Sequence, residues 1–444
     1  MSISSILEIG RRSLFAQQSA INTTGRNIAN VNTLGYTRQR LKLRDDLSSV
    51  AYLGRFGNDA TEQIRQSFTD YQLWRENSTF GSFQTGHSML SQIQDIFSEP
   101  SEAGISNLMT NFWNSWNDLA NDPDNETAKI VIRDKGVQLA NGFNRVHDEL
   151  LQYQNQVHLE IGGKVSMINE MLEQISELNQ QIINTDDHSL KDTRALLVDE
   201  LSEMVNINVA ETAAGELNIA ISGMVVVSGQ EVNKITYDAV KTGNLWHGEI
   251  RLESTSQKVD IQAGELKAML ELQNETVPGI IDELNELANE FANQLNTAHI
   301  EPGVRPEFFN PGLNQDEITA GNIQVNNVFF NDPSFVGYVA DGGDSSFALE
   351  MFNLQNEQVM GGKSFAEFYS GIITQIGSGV SETGYMKDAQ GLVIEKLQID
   401  RMSVSGVSLD EEMTHLIQYE QAYNAAAKLI STVDDMISSI MNLV

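Results

Sequence analysis

Residues 3–38 read ISSILEIGRRSLFAQQSAINTTGRNIANVNTLGYTR, and the organisation of the whole chain can be worked outward from them. Positions 3, 7, 10, 14, 17, 21, 24 and 28 alternate spacings of four and three. They hold Ile3, Leu7, Gly10, Leu14, Gln17, Ile21, Thr24 and Ile28, which share one face of a helix at that spacing. Half of the seam is aliphatic and half is diluted by Gly, Gln and Thr. The pattern therefore predicts an amphipathic helix too poor in apolar side chains to hold an isolated two-stranded coil. The helix closes on Asn27 to Arg38. There Asn30 and Asn32 accept turn conformations, Gly35 supplies a positive φ, and Tyr36 offers a flat anchor with a polar tip.

The far end of the chain mirrors this one. Leu409, Met413, Leu416, Tyr423, Ala427, Ile430, Val433, Ile437, Ile440 and Val444 trace an apolar stripe that only Glu420 interrupts. Such a helix would run roughly 54 Å. Ser408 can cap it, and Asp410, Glu411 and Glu412 sit where the helix dipole favours acids. Residues 1–44 carry seven basic groups (Arg11, Arg12, Arg26, Arg38, Arg40, Lys42 and Arg44) against Glu8 alone, whereas residues 401–444 have a net charge of -4. A basic first helix and an acidic last helix are complementary, so pairing of the two chain ends is expected.

Between the ends, 444 residues exceed what one core organises, and seven segments are expected. Residues 1–45 form the first terminal helix and its loop. Residues 46–204 begin a helical bundle, in which Asn121 to Asp124 is a break and a long helix runs from about Thr127 to Ile183. Residues 205–262 switch to period two at Val205 to Val209 and Leu217 to Ile221, bounded by Gly215, Gly223, Gly229 and Gly248; this predicts a small antiparallel β module. Residues 263–300 return to helix, 301–345 form an irregular Gly-, Asn- and Pro-rich excursion, 346–404 complete the bundle, and 405–444 form the last helix. The fold class is mainly α, with paired terminal helices, a long-helix bundle and an outer β module.

Composition excludes several kinds of chemistry. There is no Cys, hence no disulfide framework, thiolate metal site or Cys nucleophile. A net charge of -33 repels nucleic acid and anionic lipid, so neither is an expected partner. No run approaches the roughly 20 apolar residues that span a bilayer, so membrane insertion is not expected. The opening lacks a basic n-region, and the polar AQQSAINTTG after Arg11-Arg12 denies a twin-arginine signal. None of the seven His residues pairs at i, i+4 around a Glu; His147 and His158 read as solvated helix residues, and His415 as a packing residue. Asp186-Asp187 and Glu411-Glu412 have no opposing pair, and Asp122 to Glu126 lacks the ligand spacing of a calcium loop. Gly377, Gly379 and Gly384 make no phosphate loop. No catalytic residue, cofactor or metal ligand is expected.

Asn27-Ile28-Ala29-Asn30, then Thr33, Gly35 and Tyr36, after an N-terminal amphipathic helix resembles the shared signature of flagellar rod, hook and hook-associated axial proteins. Thr37-Arg38-Gln39 resembles the hook-associated protein 1 branch of that family, as do Ser405 to Glu412, Tyr419 to Lys428, Asn111 to Pro123 and Leu190 to Val209. Leu34 stands where the family usually has Pro, Arg26 replaces a common Asn, and Ala195 follows Arg194 where an Asp is frequent. The resemblance implies a structural, non-enzymatic subunit at the hook–filament junction that templates filament assembly. It implies export through the flagellar type III apparatus without a cleaved signal, and an extracellular location. The implied partners are further copies in a ring or helical lattice, the hook protein, a second junction protein and an export chaperone. The implied assembly residues are Leu7, Leu14, Ile21 and Ile28 in the inner helix, Asn27, Asn30, Thr33, Gly35, Tyr36 and Arg38 in the loop, and Leu409, Met413, Leu416, Tyr423, Ile430 and Ile437 in the last helix. A rod or hook subunit, or a coiled-coil surface adhesin, is the alternative; the adhesin predicts stable oligomers through the termini, the axial protein monomers with mobile termini.

Overall fold

A computed structural model describes residues 3–41, 61–185, 187–301, 304–312, 315, 317–337 and 345–441. Lys42, Arg44, Asp186, Val444 and the side chain of Ile3 lie outside the described residues. In chain order the elements are α1 (Ile3–Ala29), β1 (Gln39–Leu41), β2 (Thr61–Gln63), α2 (Ser67–Phe97), α3 (Ile105–Asn121), α4 (Glu126–Thr185) and α5 (His188–Met204). Strands β3 (Ile207–Glu211), β4 (Leu217–Ile221), β5 (Met224–Ser228), β6 (Glu231–Val232), β7 (Ile235–Thr242), β8 (Leu245–Leu252) and β9 (Lys258–Val259) follow. Then come α6 (Glu265–Glu271), α7 (Val277–His299), β10 (Phe309–Asn310), β11 (Gln324–Val325), α8 (Val328–Asn331), α9 (Ser345–Asn353), α10 (Phe365–Ser405) and α11 (Leu409–Met441). The fold is mainly α with small antiparallel sheets.

Two antiparallel coils share one design. In the first, Gly10 of α1 lies against Ile430 of α11, where a Cβ would stand 2.7 Å from Ile430 Cγ1, and Asn27 bonds Glu412 at the other end. In the second, Gln390 of α10 donates to Glu76 of α2 at 2.7 Å, and His87 meets the carbonyl of Val380 at 3.0 Å. Gly379, Gly384 and Gly391 of α10 face Leu90, His87 and Phe80 of α2. Absent side chains let helix axes approach, so these glycines have a packing role. Ser364 and Glu367 close a capping box at the start of α10, which satisfies backbone donors that would otherwise be orphaned.

The core sits where α3, α4 and α7 meet. Phe112 packs its ring 5.9 Å from Phe291 and 5.7 Å from Phe308, and Trp113 stands 5.1 Å from Phe291. The excursion expected at 301–345 is irregular in backbone yet contributes to this core: Phe308, Phe309 and Phe329 are wholly buried. Burying each such side chain stabilises by about 1.5–3 kcal/mol. Asparagines satisfy the backbone that comes in with them. Asn296 accepts from the amides of Phe308 and Phe309 and donates to Phe309 O at 2.7 Å, while Asn144 and Asn289 donate to Ala320 O and Ile318 O, each at 2.8 Å.

The β module forms two antiparallel sheets, ordered β3-β4-β5-β6 and β7-β8-β9. Polar side chains of α4 bind it to the bundle: Asn169 exchanges two bonds with Ile235, and Asn179 donates to Leu217 O and Gly229 O. Between α6 and α7 the helix widens into a π turn over Leu272–Thr276, just before Pro278. Pro278 clashes with an ordinary i−4 partner, and the wider turn relieves that conflict. The freed Gln273 carbonyl accepts from Gln154 at 2.8 Å, and Tyr237 of the module donates to Gln273 Oε1 at 2.6 Å.

Candidate assembly interface

The motif residues of the first loop converge on one buried polar joint. Asn27, at the end of α1, is wholly buried. Its Nδ2 donates to Gln39 O at 2.9 Å and to Glu412 Oε2 at 3.0 Å. Its Oδ1 accepts from the Tyr36 hydroxyl at 2.9 Å and from the Gln39 amide at 3.1 Å. Both lone pairs and both donors of this amide are therefore used, which only Asn in this position can do.

Arg38 completes the joint. Its Nε donates to Glu412 Oε1 at 2.7 Å and its Nη1 to Glu411 at 2.9 Å, while its backbone amide reaches Ser405 O at 2.8 Å. Glu412 side chain is 3% exposed and that of Glu411 61%, so the first pair is shielded from salt and the second is screened. Glu412 also lies in the first turn of α11, where the helix dipole favours a negative charge. The expected complementarity of the chain ends is thus carried here by Arg38, whereas Arg11 and Arg12 bond Glu8 within α1.

The loop is shaped by short-range bonds. Asn30 donates to Arg26 O and accepts from the Thr33 hydroxyl, the Thr33 amide bonds Asn30 O, and the Tyr36 amide bonds Thr33 O. Gly35 has φ 76°, and a Cβ there would stand 2.7 Å from Leu196 of α5. Both the conformation and the close approach require glycine. Thr37 donates its amide to Asp192 at 3.2 Å, and Asp192 accepts from Gln63 at 2.9 Å. Burial raises the Asp192 carboxyl above its usual range and pushes the Tyr36 hydroxyl up to about 12. Glu412, Asp192, Gln39 and Ser405 lie in stretches singled out by resemblance, but they were not picked as interface residues; for Glu412, its place in the first turn of the last helix was the physical sign.

The helical seam differs from the expected one. In α1 the buried residues are Gly10, Ala20, Thr23, Thr24 and Asn27, while Leu7, Leu14, Ile21 and Ile28 are half-buried. In α11 they are Glu412, Ala426 and Val433, with Leu416, Tyr423, Ile430 and Ile437 half-buried. Leu409 and Met413 stay 47% and 49% exposed, and Ala427 is exposed. Small residues lie at the line of closest approach, and larger aliphatic side chains straddle it. Two histidines, His147 and His158, also depart from expectation. His158 is not solvated: it stacks on Trp246 with centroids 3.9 Å apart and meets the Tyr237 hydroxyl at 3.0 Å. His147 lies against Gly321, and His415 stacks on Tyr419 at 5.9 Å. Among the described residues no group of His, Asp and Glu is placed to hold a metal ion, and no helix is long and apolar enough to cross a membrane.

Comparison with known proteins matches each part of this arrangement. Residues 90–302 match the family described as flagellar hook-associated protein FlgK helical domain. Residues 7–37 match the flagella basal body rod protein family, and 400–443 the flagellar basal body rod FlgEFG protein C-terminal family. Flagellar hook-associated protein 1 of Bacillus subtilis (strain 168) is 29% identical over 98% of this chain and 97% of its own length. The protein of that name from Salmonella typhimurium is 23% identical over 99% of this chain and all of its own. The solved flagellar hook junction protein FlgK of Burkholderia pseudomallei shares the fold with a TM-score of 0.66 at 14% identity, covering 76% of this chain and all of that one.

Proposed function

We propose that the chain belongs to the flagellar hook-associated protein family and is a structural, non-enzymatic subunit joining hook to filament, on which the filament assembles. One observation carries the reading. The two chain ends are locked at a buried joint and continue as a coil whose outer faces carry Leu409, Met413, Ile417, Met436 and Ile440, each about half exposed. Apolar side chains on both sides of a two-helix coil call for neighbours.

In this reading those neighbours are further copies of the chain, the hook protein on one side and a second junction protein on the other. Leu7, Leu14, Ile21, Ile28, Leu409, Met413, Leu416, Tyr423, Ile430 and Ile437 pack the inner tube. Asn27, Asn30, Thr33, Gly35, Tyr36 and Arg38 hold that tube at a fixed angle to the bundle. Passage through a flagellar type III export apparatus, with a chaperone shielding the last helix, and an extracellular place on the flagellum belong to the same proposal.

The test is deletion of the gene in its host, with filament subunit assayed in the medium while the cell surface is imaged. Bare hooks with filament subunit lost to the medium are expected. Normal filaments would overturn the junction role, and missing hooks would move the chain to the rod or hook itself.

A further inference from the structure

The two coils meet end to end, and what joins them differs in kind from what holds each together. Within the bundle, α2, α3, α4, α7 and α10 share one apolar core that runs from Phe97 and Phe112 to Phe365 and Ile376. At the joint, α1 stops at Ala29, and α10 gives way to α11 through residues 406–408. Gly406 caps α10 through its amide bond to Met402 O, and an added Cβ there would collide with that same carbonyl. Among the described residues, most of what crosses this level is polar. Among the described residues the contacts at this level include the Asn27 bonds to Gln39 and Tyr36, the Arg38 bonds to Glu411 and Glu412, and the Thr37 bond to Asp192; the contact of Gly35 with Leu196 is apolar.

The far side of the joint has its own fixed charges. Arg401 near the end of α10 bonds Asp199 of α5 at 2.8 Å, and Trp74 of α2 donates to the same carboxylate at 2.7 Å. Arg65 bonds Asp70 at 2.6 Å. These pairs tie α2, α5 and α10 to one another and do not reach α11. Between the two sets lies an open cavity of about 620 Å³, lined in part by Leu34, Leu196, Asp199, Arg401, Met402 and Glu411. The loop therefore has space to move into if its bonds to α11 are released.

We propose that this joint is a latched hinge, with Arg38 on the bundle side as the latch and Glu412 on the coil side as its catch, while Asn27, also on the coil side, positions Glu412 and grips Gln39. Closed, it fixes the terminal coil at one angle to the bundle. Open, the coil swings about residues 30–36 and 406–408 while both coils stay folded, because neither apolar seam crosses the joint. Arg38 is the moving part of the latch: its backbone is fixed on the bundle side, where the Ile64 amide bonds Arg38 O at 2.9 Å, and only its side chain reaches α11. Such a hinge lets one subunit present its inner coil at different angles to unlike neighbours, and it operates in the isolated chain whatever those neighbours are.

The chain has no Cys, so paired spin labels can be placed without background. Labels at Gln18→Cys and Gln180→Cys report terminal coil against bundle, and labels at Gln92→Cys and Gln180→Cys report the bundle alone; all three positions are exposed. Pulsed dipolar spectroscopy is expected to show one narrow distance for each pair in the parent chain. Glu412→Gln should broaden the first distribution or split it in two and leave the second unchanged. The charge swap Arg38→Glu with Glu412→Arg should recover part of the narrow component. A first distribution that stays narrow in Glu412→Gln would overturn the latch. If both distributions broadened together, the joint would be part of the bundle fold and no hinge.

Discussion

Replacing Asn27 is the sharpest perturbation of the joint, because its consequences can be counted. Asn27→Ala removes four hydrogen bonds and leaves Glu412 Oε2, Gln39 O, Gln39 N and the Tyr36 hydroxyl without that partner. An orphaned buried polar group costs about 1–3 kcal/mol, and more when it is charged. Tyr36 is half-buried and Glu412 keeps its bond to Arg38, so water and Arg38 recover part of the loss. A net cost of about 3 kcal/mol remains, roughly a hundredfold in the local opening constant. Hydrogen exchange resolved by peptide should therefore quicken roughly a hundredfold over residues 36–41 and 409–414. Peptides from α3 and α7, whose core does not touch the joint, should keep their protection. Asn27→Asp tests the same logic at constant shape. It replaces the donor facing Glu412 Oε2, 3.0 Å away, with a second acceptor, so it should open the joint further than the Ala variant does. Unchanged exchange over 36–41 in Asn27→Ala would refute the reasoning, since a hub that can be removed without consequence is not holding the joint.

Other expectations follow from separate parts of the molecule. Ile430→Asp places a charge against Gly10 in the terminal seam; it should block incorporation into flagella, scored by imaging, while circular dichroism shows the bundle still folded. His299 is buried among Trp116, Phe308, Phe329 and Phe347, and burial pushes its pKa down to about 4. Between the ordinary His value near 6.5 and about 4 the unfolded chain takes up a proton that the folded chain refuses, so stability falls as pH falls through that window, by about 3 kcal/mol in all. The difference in urea midpoint between the parent and His299→Phe should shrink or reverse from pH 7 to pH 4, and a difference constant with pH would count against it. Gly264 has φ 100°, and a Cβ there would stand 2.5 Å from Met204 O, so Gly264→Ala should lower stability by about 2 kcal/mol or more in denaturant unfolding.

How much of this was legible in the sequence depends on the distance over which each feature acts. The long helices announce themselves because a 3.6-residue period repeats over many turns: Val157, Ile161, Val165, Ile168, Leu172 and Ile175 are read as one stripe and all are buried in α4. The first strands of the β module are visible for the same reason at period two. β7 was missed because its apolar residues are few: only Ile235 is buried, and its last three positions are all exposed. The excursion after α7 was read from its Asn, Gly and Pro as irregular, and nothing in that composition announces a part in the core. In the structure the asparagines carry an irregular backbone with Phe308 and Phe309 into the core by bonding its amides and carbonyls. Composition cannot separate an Asn that faces water from one that replaces water. The joint shows the same limit most clearly. Asn27, Tyr36 and Arg38 lie within twelve residues and can be picked out as a motif, but the group they serve, Glu412, is 385 residues from Asn27 and sits in a run of three acids. Local reasoning places all three acids at a helix start and finds them equivalent. Only the antiparallel pairing of α1 with α11 buries Glu412 and leaves Glu411 at the rim, and that distinction makes one carboxylate the catch of the joint and the other a screened surface charge.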